Sequence, residues 1–259
     1  MFYYFGYGSN LSRASRRAKG VESSSAEPAL LEDWRLAFNI ASPFPNGGCF
    51  ANVVRGSGAV VHGALCAFED QYLERLDWFE ACGVVYERLE LEVRTYQGKP
   101  ITAHVYAGPP TDSGREGRPS VRYRNILLDG GRDVGLADEY LDWLMNHPVH
   151  PEPQYPPFVS PTDPEEVFTL DQVATRPLHT ALAGHVFDMS GARSDHHILR
   201  PFFEGRDVTL FLLQRMDSSA GTETAEDIAI GRLSDEQRCY LNDYLHEFSR
   251  EYQYVGRVA

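Results

Sequence analysis

The amino-acid sequence predicts an α+β fold divided between two domains, and three observations support this prediction. Short β-branched or aromatic runs, separated by Gly, Pro and Asn, indicate a strand-rich first half with a few helical insertions. A proline-rich stretch then interrupts the chain, and an amphipathic segment near the carboxyl end indicates a long terminal helix. Apolar residues make up 42% of the 259 residues, which is enough for packed cores.

The chain opens with a predicted buried strand at residues 2–5, a run of aromatic side chains. Gly6 and Gly8 follow, and glycine adopts backbone conformations that residues with a Cβ rarely reach. Ser9 and Asn10 are good helix N-caps, so a short helix is predicted after them. Such a turn directs N–H groups at one point and attracts an anion, although the pattern alone favours a turn without a ligand.

Further strands and helices are predicted between this turn and the proline-rich stretch. The runs with strand composition are ALLEDWRLAFNI, CFANVVRG, VVHGALCAF, RLELEVRTY and ITAHVYAG. The segments with helical spacing are EDQYLERLDWFEACG, VRYRNILLDGGRDVG and ADEYLDWLMNH. This mixture predicts an α+β domain over residues 1–147, whose sheet is curled or closed into a barrel.

The domain boundary is predicted at residues 148–164, PVHPEPQYPPFVSPTDP, which hold 7 of the 16 prolines. Proline fixes φ and removes a donor, so this stretch is expected to be an extended connector. A second domain is predicted at residues 165–259. In its last helix Ser234 and Gln237 match a capping box. The apolar stripe of that helix comprises Leu241, Tyr244, Leu245, Phe248 and Tyr252.

Charge and cysteine content exclude several classes of protein. The net charge of −13 disfavours nucleic acid and anionic membranes as partners. No apolar run is long enough to span a bilayer, and the amino terminus lacks the pattern of a secretory signal, so a cytoplasmic location is expected. The four cysteines lie far apart and predict free thiols rather than a zinc site. Lys19 and Lys99 are the only lysines, a skew that we interpret as nucleotide bias.

Glu80 is a candidate proton shuttle. It follows the helical run LDWF, residues 76–79, lies among Leu76, Trp78 and Phe79, and precedes a predicted loop at Gly83. A carboxyl group in apolar surroundings holds its proton more strongly, and can therefore exchange it near neutral pH. Periodicity alone nevertheless favours a solvated charge at the end of a helix. No convincing Ser-His-Asp or Cys-His arrangement precedes the connector.

Five ordered motifs over residues 2–147 favour the interpretation of Glu80 as a proton shuttle over that of a solvated charge. They are YFGYGSNL, CFANVVRGSGAVVHGALCAF, LERLDWFEACGVVYERLEL, ITAHVYAG and PSVRYRNILLDGGRDVGLADEYLDWL. In order and spacing they resemble the γ-glutamylcyclotransferase family. The resemblance implies a mixed β-barrel with helices. It also implies an enzyme that cyclises the γ-glutamyl group of a γ-glutamyl-amino acid or γ-glutamyl-amine to 5-oxoproline, releasing the free amine. The implied partner is this small molecule, and no cofactor is required.

The resemblance assigns roles to individual residues. The family's catalytic glutamate falls on Glu80, and a substrate-binding tyrosine falls on Tyr123. The family's substrate loop falls on Tyr7, Gly8, Ser9, Asn10 and Leu11. Ala81 stands where the family usually has glycine, so the path of the loop after Glu80 is expected to differ. The Ser-Asn pair resembles members that act on γ-glutamyl-amino acids or remove a γ-glutamyl protecting group, more than the glutathione-specific and γ-glutamylamine types.

The implied reaction needs no covalent intermediate on the enzyme. Glu80 would deprotonate the α-amino group of the substrate, which attacks its own γ-carbonyl, and would then protonate the departing amine. Backbone donors of the glycine turn would hold the α-carboxylate and the oxyanion. The alternative interpretation is a non-catalytic ligand-binding or assembly protein with the same fold.

A second resemblance covers residues 165–258. VFTLDQVA, ALAGHVFDMSG, FFEGRDVTL and LSDEQRCYLNDYLHEFSREYQYVGRV resemble the cytochrome b5-like domain of the membrane-associated progesterone receptor and neudesin group. This implies a small α+β domain, which in that group often binds haem through a tyrosine. Arg200 lies at or near that tyrosine position, so His196 and His197 are the obvious substitute ligands. We favour a haem-free domain for interaction or support. A haem-binding regulator and a homodimer remain alternatives.

Overall fold

Two compact units make up the chain. A computed structural model describes residues 1–109, 116–161 and 166–259. The first unit comprises Met1–Ser42 and Asn46–Glu152, and the second comprises Pro43–Pro45 and Pro153–Ala259. The predicted connector, residues 148–164, thus contains the change of unit, although its residues 162–164 lie outside the described residues. Glu165, the predicted start of the second domain, lies outside them as well.

The proline-rich stretch is more than a plain connector. Residues 148–160 form no helix or strand, in keeping with the expected extended backbone. From residue 153 onward, however, the stretch bonds to the second unit. The Tyr155 hydroxyl donates to Glu247 at 3.1 Å, and the backbone N–H of Phe158 donates to Asn242 at 2.7 Å. Proline composition predicts the backbone shape but not these side-chain contacts.

A closed β-barrel forms the centre of the first unit. Its strands are β1 (Phe2–Gly6), β2 (Ser25–Ala41), β3 (Cys49–Phe68), β4 (Glu87–Thr95) and β5 (Pro100–Ala107). They follow the order β1-β3-β2-β4-β5, and a parallel pairing of Tyr4 with His104 closes the barrel. The fully buried Phe5, Val61 and Leu65 contribute to its core. The barrel that we predicted is therefore confirmed.

The long strand β3 replaces two predicted strands. CFANVVRG and VVHGALCAF are parts of one 20-residue strand that pairs with β2. The glycines between them mark a bulge at residues 56–59, not a chain reversal. Opposite this bulge Asp33 adopts a φ of 61°, and its carboxylate accepts a hydrogen bond from the N–H of Gly58 at 2.9 Å. Glycine-rich composition fits both a turn and a bulge, which is why the sequence did not separate them.

Helices lie beside the barrel and support the turn after β1. They are α1 (Arg13–Ala18), α2 (Leu73–Phe79), α3 (Val121–Val134) and α4 (Asp138–Met145). The Ser120 hydroxyl caps the start of α3, and Gly135 ends it with a φ of 82°. Gly130 lies where α3 crosses the chain after the turn, and a Cβ there would come 2.5 Å from the carbonyl carbon of Leu11. The backbones of α3 and the turn are therefore in direct contact.

The second unit is an α+β unit built on a mixed sheet. Its strands are β6 (Glu166–Phe168), β7 (His179–Leu182), β8 (His185–Asp188), β9 (Arg206–Asp207) and β10 (Gln253–Val258). They follow the order β6-β10-β8-β7-β9. The helices of this unit are α5 (Leu170–Thr175), α6 (Arg200–Phe203), α7 (Thr209–Leu213), α8 (Ala225–Ala229) and α9 (Asp235–Glu251).

The last helix begins as the sequence predicts. The Ser234 hydroxyl accepts from the N–H of Gln237, and the Gln237 side chain accepts in return from the N–H of Ser234. The predicted stripe is present, but α9 ends at Glu251, so Tyr252 follows the helix in extended conformation. Among the described residues, no helix combines the length and the apolar character needed to cross a membrane.

Candidate active site

The turn after β1 is a tight 3-10 turn over Ser9–Leu11, with Gly8 at its N-cap. Asn10 is only 2% exposed although its side chain is polar. Arg16 holds the turn from α1, because its guanidinium donates to the carbonyls of Asn10 at 2.6 Å and Leu11 at 2.9 Å. Leu11 itself lies in the hydrophobic core. The short helix predicted after Asn10 is thus a 3-10 turn followed by α1.

Glu80 sits at the end of α2 in a Schellman arrangement. The N–H of Cys82 donates to the carbonyl of Asp77, and the N–H of Ala81 donates to that of Trp78. This geometry requires a left-handed residue directly after Glu80, and Ala81 has a φ of 45°. Glycine is the residue that reaches this region without strain. The observed departure from the family pattern therefore falls on a strained position beside the candidate acid.

Replacing Ala81 with glycine is expected to stabilise the first unit. The substitution removes the backbone strain of an alanine in the left-handed conformation, so we expect the free energy of unfolding to rise by about 1 kcal/mol. Ala14→Gly is the matched control inside α1, where glycine should lower the free energy by about 1 kcal/mol. Urea unfolding followed by tryptophan emission measures both, because all three tryptophans lie in the first unit. Equal destabilisation by the two variants would contradict this account.

The Glu80 carboxylate has polar partners rather than the apolar surroundings that we expected. Its Oε1 accepts from the Asn10 side-chain amide at 2.9 Å and from the Lys19 ammonium at 3.2 Å. The side chain of Glu80 is 16% exposed and that of Lys19 only 3%. Neither the expected desolvated acid nor a solvated helix-end charge describes this group. It is a partly buried carboxylate held by donors from the turn and from the end of α1.

A small cleft joins the turn to Glu80. Most sequence-predicted site residues line it together, and Leu11 is the exception, being in the core. The described residues that line the cleft are Tyr4, Tyr7, Gly8, Ser9, Asn10, Ala51, Glu80, Tyr86, Tyr106 and Tyr123. The cleft thus presents one carboxylate, one stretch of glycine-containing backbone and a group of tyrosine hydroxyls.

Hydrogen bonds fix these hydroxyl groups in place. The Tyr123 hydroxyl accepts from the N–H of Ala51 at 3.2 Å, and the Tyr86 hydroxyl donates to the carbonyl of Ala51 at 2.9 Å. The Tyr4 hydroxyl accepts from the Asn10 amide at 2.9 Å. Burial raises the pKa of Tyr4 and of Tyr86 well above the ordinary value, and the charge of Glu80 adds to this. Both hydroxyls are therefore neutral hydrogen-bonding groups at physiological pH.

Tyr106 connects the cleft to an ion pair behind it. The Tyr106 hydroxyl donates to Asp77 at 2.6 Å, and Asp77 forms a salt bridge with Arg88. The Tyr7 hydroxyl donates to the backbone carbonyl of Tyr106. Burial, with Asp77 as acceptor, raises the pKa of Tyr106. Sequence reasoning missed Tyr4 and Tyr106 because aromatic residues in strands usually signal core packing. Tyr86 lies between α2 and β4, where no local signal marks it.

The two histidines expected as haem ligands occupy different environments in the second unit. His196 is fully buried, with Nδ1 at 2.8 Å from the Tyr252 hydroxyl and Nε2 at 2.9 Å from the carbonyl of Pro43. Both ring nitrogens are therefore engaged, whereas His197 is exposed. With both ring nitrogens engaged, His196 does not offer a free nitrogen as an axial ligand. No group of three or more His, Cys, Asp or Glu side chains that could hold a metal ion occurs among the described residues.

Comparisons with known proteins show what residues 4–125 are similar to. Residues 4–125 match the family model described as Gamma-glutamyl cyclotransferase, AIG2-like. A solved structure named Gamma-glutamyl cyclotransferase is similar at 27% identity and a TM-score of 0.51, covering 61% of this chain and 93% of that one. A human protein described as uncharacterized is similar at 28% identity, with the same coverage and TM-score. No curated protein matches the chain.

One further structure supports the fold alone. YkqA from Bacillus subtilis is similar at 18% identity and a TM-score of 0.50, covering 57% of this chain and 56% of that one. Residues 4–125 therefore form a domain of the γ-glutamyl cyclotransferase, AIG2-like family. Nothing in these matches supports the cytochrome b5-like domain expected at residues 165–259, which stays a prediction.

Proposed function

We propose that the γ-glutamyl cyclotransferase, AIG2-like domain of this chain cyclises a γ-glutamyl group to 5-oxoproline and releases the free amine. One observation carries the proposal: the Glu80 carboxylate and the Gly8–Asn10 turn face the same cleft, with the Asn10 amide bonded directly to Glu80 at 2.9 Å. A proton-transfer group and a backbone binding turn are the two parts that this reaction needs.

The reaction begins with the α-amino group of the substrate in its neutral form. Glu80 takes one of its two protons as the nitrogen attacks the γ-carbonyl carbon, which closes a five-membered ring and places negative charge on the carbonyl oxygen. The carbonyl double bond then re-forms as the bond from that carbon to the leaving nitrogen breaks, while Glu80 gives the proton to the departing amine. Glu80 is ionised again at the end, so the cycle consumes no co-reactant.

The protein needs no nucleophile of its own in this scheme, because the attacking and attacked groups belong to one molecule. Its task is to hold a folded conformer of the substrate in which the two groups are close. Well-oriented intramolecular reactions have effective molarities of about 10⁵–10⁸ M, so orientation alone supplies a large part of the rate. The tyrosines around the cleft suit this role, since hydrogen bonds between the Tyr123 and Tyr86 hydroxyls and the backbone of Ala51 fix these hydroxyls before substrate arrives.

The turn is the proposed site for the negative charges of the substrate. Backbone N–H groups at the start of a helical turn lack partners within that turn and favour anions. In the proposal, Gly8 and Ser9 hold the α-carboxylate and the developing oxyanion, and the hydroxyl of Tyr123 borders the same space. Leu11 contributes by packing beneath the turn rather than by contact with substrate.

Gly8→Ala is expected to weaken substrate binding more than it weakens the fold. An added Cβ would lie 2.9 Å from the Tyr123 hydroxyl and would narrow the cleft between them. We expect KM to rise about tenfold, equivalent to about 1.4 kcal/mol. A double-mutant cycle with Tyr123→Phe tests the steric origin. If Gly8→Ala raises KM by the same factor in the Tyr123→Phe background as in the wild type, the clash with the hydroxyl is not the cause.

A substrate panel tests the proposed function. Full-length protein is incubated with γ-glutamyl-amino acids, glutathione and γ-glutamylamines, and 5-oxoproline and free amine are quantified together. We expect equimolar formation of both products, with γ-glutamyl-amino acids or a γ-glutamyl-protected amine preferred over glutathione. Saturable binding without any product would instead support the non-catalytic alternative. Absence of both binding and turnover across the panel would refute the proposal.

A further inference from the structure

Lys19 is a buried cation directly behind the candidate acid. It follows α1, and its side chain is 3% exposed. The ammonium lies 2.7 Å from the Asn10 side-chain oxygen, 3.2 Å from the Glu80 carboxylate and 3.4 Å from the Ser9 hydroxyl. Lys19 therefore contacts the substrate turn and the proton-transfer group at once, without being part of the cleft lining that the described residues form.

Burial of this lysine needs an explanation, because lysine is almost never fully buried unless it is paired. Removing an ammonium from water costs several kcal/mol, which a salt bridge with good geometry and additional hydrogen bonds offsets. Surface exposure would avoid this cost entirely. An apolar side chain of similar volume would stabilise the fold at this position as well as a lysine does. The charge itself is thus the feature that calls for a function.

The contacts show where that charge acts. Both hydrogen bonds that Glu80 accepts from described residues, one from Asn10 and one from Lys19, end on Oε1. The carboxylate is therefore held through one oxygen, which leaves Oε2 to exchange a proton with a substrate. The backbone of Lys19 has separate partners, since its N–H donates to Arg16 and its carbonyl accepts from Arg75. A side-chain substitution at residue 19 leaves those contacts in place.

We infer that Lys19 is a positioning residue that holds the Glu80 carboxylate aimed at the α-amino group of the substrate. This inference rests on the proposed function. Lys19 keeps all its protons during the reaction, while the transferred proton moves only from the substrate nitrogen to Glu80 and then to the leaving amine. By bonding to Asn10 as well, Lys19 also couples the position of the carboxylate to that of the turn.

Other titratable groups near Glu80 do not replace this role. The hydroxyls of Tyr4, Tyr7, Tyr86 and Tyr106 also face the carboxylate, and burial raises the pKa of each. They therefore stay neutral across the working pH range. Asp77 and Arg88 form their own ion pair behind Tyr106. Within the described part of the chain, the salt-bridge partner of Glu80 is Lys19.

The decisive experiment compares Lys19→Met with Lys19→Arg on the full chain. Without the ammonium, Oε1 of Glu80 loses one of the two hydrogen bonds that orient it. Misplacement of a reacting group costs about 10²-fold in rate, so kcat should fall by about that factor in Lys19→Met while KM changes less. Lys19→Arg keeps a cationic donor and should keep kcat near its wild-type value. A kcat that is equally low in Lys19→Met and Lys19→Arg, or unchanged in both, would overturn the inference.

A second readout does not depend on activity. Protein labelled with carbon-13 at glutamate carboxyls gives a Glu80 resonance, assigned by its loss in Glu80→Gln. Its chemical shift at a fixed pH should change in Lys19→Met, where one donor to Oε1 is lost, and should stay near the wild-type value in Lys19→Arg. Lys19→Gln replaces the methionine variant if the latter does not fold. The two proposals can fail separately. If no substrate yields 5-oxoproline, the proposed function fails. If the Glu80 resonance does not move in Lys19→Met, the role of Lys19 is overturned.

Discussion

Glu80→Gln is expected to lower 5-oxoproline formation by about 10²–10⁴-fold, the usual contribution of a positioned acid–base group. Glutamine keeps the length and shape of the side chain. Its amide oxygen can still accept from Asn10 and Lys19, which now donate to Oε1 of the carboxylate. What it loses is the ability to take a proton from the α-amino group and return it to the departing amine. The loss should therefore appear in kcat more than in KM.

Two controls separate chemistry from folding in this variant. Glu74→Gln makes the same substitution at an exposed position of the same helix, and we expect it to leave turnover unchanged. Tryptophan emission during urea unfolding reports whether the first unit of Glu80→Gln is folded. Turnover of a folded Glu80→Gln protein at the wild-type rate would exclude Glu80 as the proton-transfer group.

Gly130→Ala is expected to be the most destabilising of the small substitutions that we consider. A Cβ at residue 130 would lie 2.5 Å from the carbonyl carbon of Leu11 and 2.7 Å from the Cα of Ser12. Backbone atoms cannot move aside as side chains can, so α3 and the substrate turn must separate. Overpacking of this kind costs about 1–3 kcal/mol, and we expect a value near the upper end. The displaced turn should also raise KM for the γ-glutamyl substrate.

Gly131→Ala is the matched control for this prediction. It lies one residue further along α3, and an added Cβ there would meet side-chain atoms rather than backbone, namely the ends of Leu141 at 2.8 Å and of Leu136 at 3.2 Å. Both variants gain about 1 kcal/mol of helix propensity, so this gain cancels in the comparison. Urea unfolding should separate the two by at least about 2 kcal/mol. Equal stabilities would show that α3 does not press on the turn as closely as described.

Much of the turn and of its surroundings is predictable from local sequence. The aromatic run, the two glycines and the N-capping residues each have a physical meaning within a few positions, and together they indicate β1 and the turn after it. The start and end of α3 are equally local, since Ser120 caps it and Gly135 ends it. The role of Glu80 was not predictable from local sequence. Only the ordered motifs distinguished it from an ordinary glutamate at a helix end.

Lys19 could not be recognised in this way. Its partner lies 61 residues along the chain, and nothing near residue 19 shows that the helix end points inward. The scarcity of lysine was therefore interpreted as nucleotide bias rather than as a sign of a functional lysine. Tyr86 and Tyr106 were missed for a related reason, since a tyrosine that lines a cleft and one that fills a core have the same local pattern.

The second unit includes a segment that no local pattern marks. Residues 43–45 come from the connection between β2 and β3, yet Phe44 packs in the core of that unit, with its ring 5.4 Å from that of Phe248. A Ser-Pro-Phe-Pro stretch predicts only a turn. Packing over such a sequence distance depends on tertiary structure, which periodicity does not contain.

The most direct test of the central claim is the source of the oxygen atoms in the product. Full-length protein is incubated with its best γ-glutamyl substrate in water enriched in oxygen-18, and the products are examined by mass spectrometry. Intramolecular attack by the α-amino group predicts 5-oxoproline without label, formed in equal amount with the free amine. Glutamate carrying one oxygen-18 atom would show that water attacks the γ-carbonyl, and would contradict the proposed mechanism.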